Sequence, residues 1–353
     1  MQPSSSPIQS ITDLLARVGL HWRAEDCGAR IQALEKKQFT QFENGTSPYP
    51  SPYLGQAHFA LIVWAEGQAQ APQIWFLRFA LDEQAKMPLK SRDEFVQQLL
   101  FAIGSNLAAA EQGERLKSVL DNNPYVWKPS DTLQAAFHAK LTARLKLPPS
   151  QFYQDVLNYF SQGPWDYWQA LGLQGLADLA ARQKEPQIHS LLVKNLAGVP
   201  EPVFNTLSLL LEHEPLDIQL TQVIGERLSQ ALQSKNNAEI TACLRALSCS
   251  SAKGYVIEAL AHTLAAPNLL DAEAIVTLAT RHGHNLIDQR LTLTFLEQVV
   301  SLGQASFNRI LAELLFQPAL RPHFLAAFRD TARSEHLSQA IGGLLSGKLG
   351  SPQ

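Results

Sequence analysis

Apolar positions along this chain follow two different periods, and the change from one to the other divides it. Up to about residue 120, short stretches of period two are mixed with stretches at helical spacing; from Ser150 onward only the 3.6-residue period remains. In the first part, Ile11 to Val18 reads as a short helix opened by Ser10 or Thr12. Arg30 to Leu34 reads as a strand, and Lys36 to Glu43 fits either period. The two clearest strands are Ala57 to Trp64 and Gln73 to Phe79, both rich in β-branched and aromatic residues. A polar, Gly-containing loop, Glu66 to Pro72, separates them, which predicts an antiparallel hairpin. Asp93 to Leu107 follows as a helix, with Phe95, Leu99, Ala102 and Ile103 on one face. A small sheet covered on one face by helices satisfies this pattern.

Two clusters punctuate the end of the first part, Asp121-Asn122-Asn123-Pro124 and Lys128-Pro129-Ser130-Asp131, and Pro148-Pro149 is a further break. They predict a domain over residues 1–128, a linker helix within 129–149 and a helical domain over 150–347. Helices are expected at Ser150–Phe160, Pro164–Gln183, Pro186–Ala197, Pro200–Glu212, Pro215–Gln233 and Asn237–Ser248. Others are expected at Lys253–Ala265, Asp271–His282, Leu286–Ser301, Gln304–Phe316, Pro318–Asp330 and Ser334–Leu345. Pro164, Pro186, Pro215 and Pro318 stand in expected first turns, where a missing backbone donor costs nothing. Turns this short make successive helices antiparallel neighbours. Segments beginning at Leu171, Phe204 and Cys243 share a Leu-x-x-Leu stripe, close to the spacing of one helix pair in HEAT and armadillo arrays. The fold class read from the chain is therefore an α+β N-terminal domain followed by an all-α, HEAT-like array of antiparallel helix pairs, mainly α overall.

Composition changes this picture little. Hydrophobic residues make up 46% and charged residues 17%, which suits buried cores rather than disorder. Residues 1–148 carry a net charge of +1 and the remainder −4, so neither part has the basic excess that neutralising nucleic-acid phosphates requires. No apolar run approaches the ~20 residues of a membrane span. The Ser/Pro-rich start, Met1 to Ser10, lacks the basic and apolar regions of a signal peptide. Three cysteines at such spacings read as free thiols in a reducing compartment, so a cytoplasmic protein is expected.

Candidate chemistry is sparse. His282-Gly283-His284 offers two imidazoles, but it lies at an expected helix end where glycine is an ordinary cap. Glu212-His213-Glu214 reads as a solvated helix end. Asp82-Glu83 and Arg92-Asp93-Glu94 place carboxylates near a sheet edge, where they also suit a helix N-terminus. Gly172, Gly175, Gly342 and Gly343 fall inside expected helices, as packing glycines rather than a phosphate loop. Aromatics are more suggestive: Tyr49 and Tyr53 lie on the proline-stiffened Ser47–Tyr53 loop, Tyr125 and Trp127 near the boundary, and Trp165, Tyr167 and Trp168 just beyond it. Such residues anchor interfaces, and they equally suit an interdomain seam.

Several of these segments also carry a resemblance. Gln41-Phe42-Glu43 through Pro48-Tyr49-Pro50, Ile74–Phe79 continuing to Leu81-Asp82-Glu83-Gln84, and Arg92-Asp93-Glu94-Phe95 resemble a family of uncharacterised bacterial proteins. Asn123-Pro124 with Lys128-Pro129, and Trp165-Asp166 with Gly172–Ala177, are similar to the same family's pattern. The resemblance spans nearly the whole chain and implies a bacterial cytosolic protein of a domain-of-unknown-function family, with no functional residue to carry over. The expectation is thus a non-enzymatic interaction or scaffold protein with an unidentified protein partner, no metal, no cofactor and no membrane. An RNA- or ribosome-associated factor and a small-molecule enzyme with an interdomain site are the alternatives, and the oligomeric state is open.

Overall fold

A computed structural model describes residues 8–103, 120, 123–162, 165–266 and 269–347. Among them the chain has a small four-stranded antiparallel sheet near its start and sixteen α-helices, so it is mainly helical. It divides into two compact units, one over Met1–Pro129 with Phe316–Ala319 and the other over Ser130–Leu315 and Leu320–Gln353.

In the first unit the strands are β1 (Leu20–Asp26), β2 (Gln32–Leu34), β3 (Gln56–Ala65) and β4 (Gln73–Ala80), in the order β2-β1-β3-β4. The β3–β4 hairpin lies where its two apolar runs predict it, in the register Phe59 to Leu77. Sequence reasoning missed β1, which lies at the centre beside β3. Its alternation sets Leu20, Trp22 and Ala24 against His21, Arg23 and Glu25, and its ends are polar and acidic, a composition poor in β-formers. Strand β3 is buried on both faces (Ala60 and Phe59 are each fully buried), so its sequence is a continuous apolar run rather than an alternation.

Helices α1 (Ile11–Arg17), α2 (Lys36–Glu43) and α3 (Leu89–Ile103) cover one face of this sheet. Ile11, Leu14, Phe39, Phe42, Phe95 and Leu99 pack on Ala24, Phe59, Leu61, Leu77 and Phe79. Ser10 caps α1 by accepting from the Asp13 N–H at 3.0 Å. The expected helix over 93–107 begins earlier, at Leu89, and its part beyond residue 103 lies outside the described residues.

In the second unit the helices are α4 (Asp131–Arg144), α5 (Tyr153–Gln162), α6 (Leu173–Ala181), α7 (Pro186–Asn195), α8 (Glu201–Leu211) and α9 (Ile218–Ser234). They continue with α10 (Asn237–Leu247), α11 (Lys253–Leu264), α12 (Ala272–Arg281), α13 (Gln289–Val300), α14 (Gln304–Phe316), α15 (Arg321–Ala327) and α16 (Glu335–Gly347). The helix expected as a linker, α4, packs against α6 within this unit. The single helix expected over 164–183 is instead a 3-10 turn, Trp165–Ala170, followed by α6. Gly172, in extended backbone, separates the two and stands at the α6 N-cap. Pro186 opens α7 as expected, whereas Pro215 lies in the turn before Asp217, whose carboxylate caps α9.

These helices form two rows. Helices α4, α6, α8, α10 and α12 each pack on the next member of that series, and α5, α7, α9, α11 and α13 do the same. Fully buried apolar positions keep step with this: Ile224, Leu260 and Leu296, one in each of α9, α11 and α13, recur at intervals of 36 residues. The C-terminal ends of α8, α10 and α12 lie together, because the His282 ring is 2.7 Å from the Leu244 carbonyl and both Arg245 and Arg281 reach Glu212.

Charge is buried here in pairs. Glu212, 4% exposed, meets Arg281 Nε at 3.0 Å and Arg245 Nη1 at 3.6 Å. Lys140 meets Glu214 at 3.1 Å, and Arg182 meets Asp178 at 3.0 Å. Arg227 pairs with Glu239, donates to the Leu196 and Val199 carbonyls, and lies 4.1 Å over the Phe204 ring. It thereby satisfies carbonyls that the end of α7 leaves without helical partners.

Three substitutions test this packing. A methyl group added at Gly175 would come 2.5 Å from the Phe152 carbonyl oxygen, whereas Gly254 in α11 has open space around it. Gly175→Ala is expected to destabilise by about 1–3 kcal/mol despite alanine's better helix propensity, because backbone does not yield to overpacking. Gly254→Ala is expected to be neutral or to stabilise by up to about 1 kcal/mol, both read as urea midpoints. Glu212→Ala removes a buried carboxylate shared by two half-buried guanidiniums and should cost about 3 kcal/mol in the same measurement.

Candidate functional site

The most perturbed polar groups lie at the end of β1. Asp26 pairs in register with Phe59 and so faces the helix-covered side of the sheet, where it is fully buried. The Tyr49 hydroxyl donates to its Oδ1 at 2.7 Å and also lies 3.0 Å from the His58 carbonyl oxygen. Gln32 Nε2 donates to Oδ2 at 3.2 Å and to Ser51 Oγ at 2.9 Å, and the Gly28 N–H reaches Oδ1 at 3.4 Å. Burial raises the Asp26 carboxyl to about 7, against the lowering effect of these hydrogen bonds and of the Arg30 charge. Burial likewise pushes the Cys27 thiol and the Tyr49 phenol up. A nucleophile needs an accessible, ionisable thiol, and Cys27 is neither.

On the opposite side of the sheet, His58 packs edge-on against Trp127, with ring centroids 4.8 Å apart, and Tyr53 stands 6.0 Å from the same imidazole. Burial first, and then the charge of Arg78, lowers His58 to about 4, so it is neutral at physiological pH. His58 Nδ1 and Trp127 Nε1 are buried with no hydrogen-bond partner among the described residues. Trp127 reaches this position because residues 123–127 run along the edge of β4, the Trp127 N–H donating to Phe76 O at 3.1 Å.

Within the first unit, the aromatic residues singled out in the sequence are therefore dispersed. Tyr49 is a core residue with no exposure, not a surface anchor: the loop that carries it folds inward to bury its ring 4.7 Å from Phe42 and its hydroxyl on Asp26. Tyr53 and Trp127 flank His58. Tyr125 stacks 4.7 Å from Phe79 and donates to Glu94 at 2.7 Å. In the second unit Tyr167 is 74% exposed and Trp168 is half-buried; the backbone of Trp165 starts the 3-10 turn, and its side chain lies outside the described residues.

The other candidates have structural partners. Asp82 accepts the Gln84 and Lys86 N–H groups in a tight turn, while Arg92 holds Asp93 and the Glu43 carbonyl. Glu212, His213 and Glu214 are buried rather than solvated, because the α8 end that carries them is enclosed by its neighbours in the row. His282 is fully buried, with Leu244 O and Asn285 on its two ring nitrogens. Gly175 and Gly343 do make close contacts, and Gly342 has open space around it. Among the described residues no group of three or more His, Cys, Asp or Glu is placed to hold a metal, and no helix is long and apolar enough to cross a membrane.

One cleft of about 300 Å³ lies between the start of α13 and α15. Ile287, Leu293, Ala326 and Ala327 supply its apolar lining, and Gln289, His323, Arg329 and Asp330 its polar groups. Sequence reasoning missed this cleft, since its two sides, Ile287–Leu293 and His323–Asp330, are well separated along the chain and neither carries a motif.

No curated protein and no solved structure is significantly similar to this chain. The sequence model of one family, described as "Protein of unknown function (DUF3549)", matches residues 6–345. Nearly the whole chain, the sheet-containing unit and the helical unit together, thus belongs to the DUF3549 family.

Proposed function

We propose that this protein is a non-enzymatic interaction scaffold whose helical unit engages a protein partner. The observation that carries this reading is the two-row packing, in which every helix from α4 to α13 lies against the next of its row. Helix pairs stacked in this manner, the HEAT-like reading of this unit, generate long surfaces suited to peptide and protein partners.

The distribution of charge supports the same reading. Glu212, Glu214 and Arg227 are engaged in bracing helices and Asp178 holds Arg182 one turn along its own helix, so these interior ionisable groups serve the framework. His323, Ala326, Arg329 and Asp330 are exposed, so the α13–α15 cleft faces solvent instead of enclosing a small substrate. Among the described side chains of the expected interface set, Tyr167 is the most exposed and so the most available to a partner. The free thiols Cys27, Cys243 and Cys249 suit a reducing, cytoplasmic setting.

The test is capture of partners from the native host by the full chain, with crosslinks mapped to residues. A defined partner crosslinked to the α13–α15 cleft or to the Tyr167 turn is expected. Ala326→Arg and Tyr167→Ala should each weaken its capture while changing stability by less than about 0.5 kcal/mol, as surface substitutions do. Recovery of chaperones alone, or capture insensitive to both changes, would overturn the reading.

A further inference from the structure

The Tyr49 hydroxyl has one proton and two acceptors within reach, Asp26 Oδ1 at 2.7 Å and the His58 carbonyl oxygen at 3.0 Å. A phenol donates once and accepts as well. If Asp26 is ionised, Tyr49 donates to it and must leave the His58 carbonyl to the Cys27 N–H, which already donates there at 2.8 Å. If Asp26 carries a proton on Oδ1, both short contacts are satisfied at once. Asp26 Oδ1–H then donates to Tyr49 Oη, and Tyr49 Oη–H donates to His58 O. Oδ2 needs no proton in this arrangement, because Gln32 Nε2 donates to it.

From this geometry we propose that Asp26 is carried as a neutral acid whose proton completes a relay through Tyr49 to the His58 carbonyl. Loss of that proton unlatches the Ser47–Tyr53 loop from the end of β1. Asp26 holds this loop twice, directly through Tyr49 and indirectly through Gln32, which also donates to Ser51. Its three hydrogen-bond partners, Tyr49, Gln32 and the Gly28 N–H, are all neutral, so a buried carboxylate there is poorly compensated.

The charge of Arg30, in the turn to β2, opposes this only in part, because burial outweighs it. Glu25 lies on β1 and the Cys27 thiol follows directly after its end. On β3 the neighbouring His58 turns its imidazole to the other side of the sheet, against Trp127. On α2, Glu43 is bound to Thr12, and burial raises its carboxyl as well. Asp82 and Lys86 belong to the turn whose Ala85 carbonyl takes the Tyr49 N–H at 2.7 Å, with Asp82 at the surface.

The sign follows from proton counting. With a folded carboxyl near 7 and an ordinary value of 3.8 once the loop opens, the closed state binds more protons at intermediate pH. Latching is therefore strongest in acid, and the opening equilibrium rises by about tenfold per pH unit until the folded carboxyl titrates, after which it levels off.

The experiment uses the full chain, with amide hydrogen exchange of residues 47–53 and carbon-13 NMR of the Asp26 carboxyl followed from about pH 5 to about pH 8. The expected result is an Asp26 resonance titrating near neutrality and loop protection that falls as pH rises. Asp26→Asn keeps a donor toward Tyr49, so its loop protection should be nearly independent of pH. Other raised carboxyls such as Glu43 are unchanged in that variant, and the difference from the wild type isolates Asp26. Should that variant fail to fold, the wild-type titration decides alone. An Asp26 carboxyl titrating in the ordinary carboxylate range, or wild-type loop protection that does not change with pH, would overturn the proposal, as would an Asn variant with the wild-type slope.

Discussion

Helix α10 has almost no face left for water: from Ile240 to Leu247 every residue except Arg245 is buried. It packs on α8, α9 and α12, and this enclosure sets the terms for the rest of the helical unit. The C-terminal end of a helix enclosed in this way is out of reach of solvent, so its last carbonyls and any nearby charge must find protein partners. Glu212, Arg245, Arg281 and His282 provide them, each engaging another helix of the same row. The charged residues here are consequences of enclosure, and replacing them singly costs more than the pairs contribute.

The same logic operates in the sheet unit at smaller scale. Strand β3 is covered on both faces, and the polar groups drawn in with it, Asp26, His58 and Tyr49, are held by short hydrogen bonds or aromatic contacts. Both units thus bury ionisable groups, but they manage them differently. The helical unit pairs opposite charges, whereas Asp26 is surrounded by neutral donors and keeps its proton instead.

Much of the fold was legible in the chain because local periodicity reflects local packing. The β3–β4 hairpin and most of the helices stand close to where apolar spacing puts them. What was not legible depended on partners distant in sequence. Strand β1 looks polar by itself and becomes a central strand only because β3, some 40 residues later, supplies its ladder. The expected helix over 164–183 breaks at Gly172, where extended backbone overrides a continuous apolar stripe. Of the candidate site, the aromatic types were visible but their surroundings were not. Tyr49 sits among prolines as a surface residue would, and only the fold of its loop carries it into the core. Asp26 gave no signal at all, since nothing near it in sequence reveals the tyrosine 23 positions on that receives it.

Arg227 has a consequence for how the helical unit moves. Standing on α9, it holds the carbonyls at the end of α7, covers the Phe204 ring of α8 and pairs with Glu239 of α10. A single side chain therefore ties four successive helices, and displacing any one of them strands a buried guanidinium. Fraying one helix at a time is thereby suppressed. The stretch from Pro186 to Leu247 is therefore expected to open as a single cooperative block in native-state hydrogen exchange.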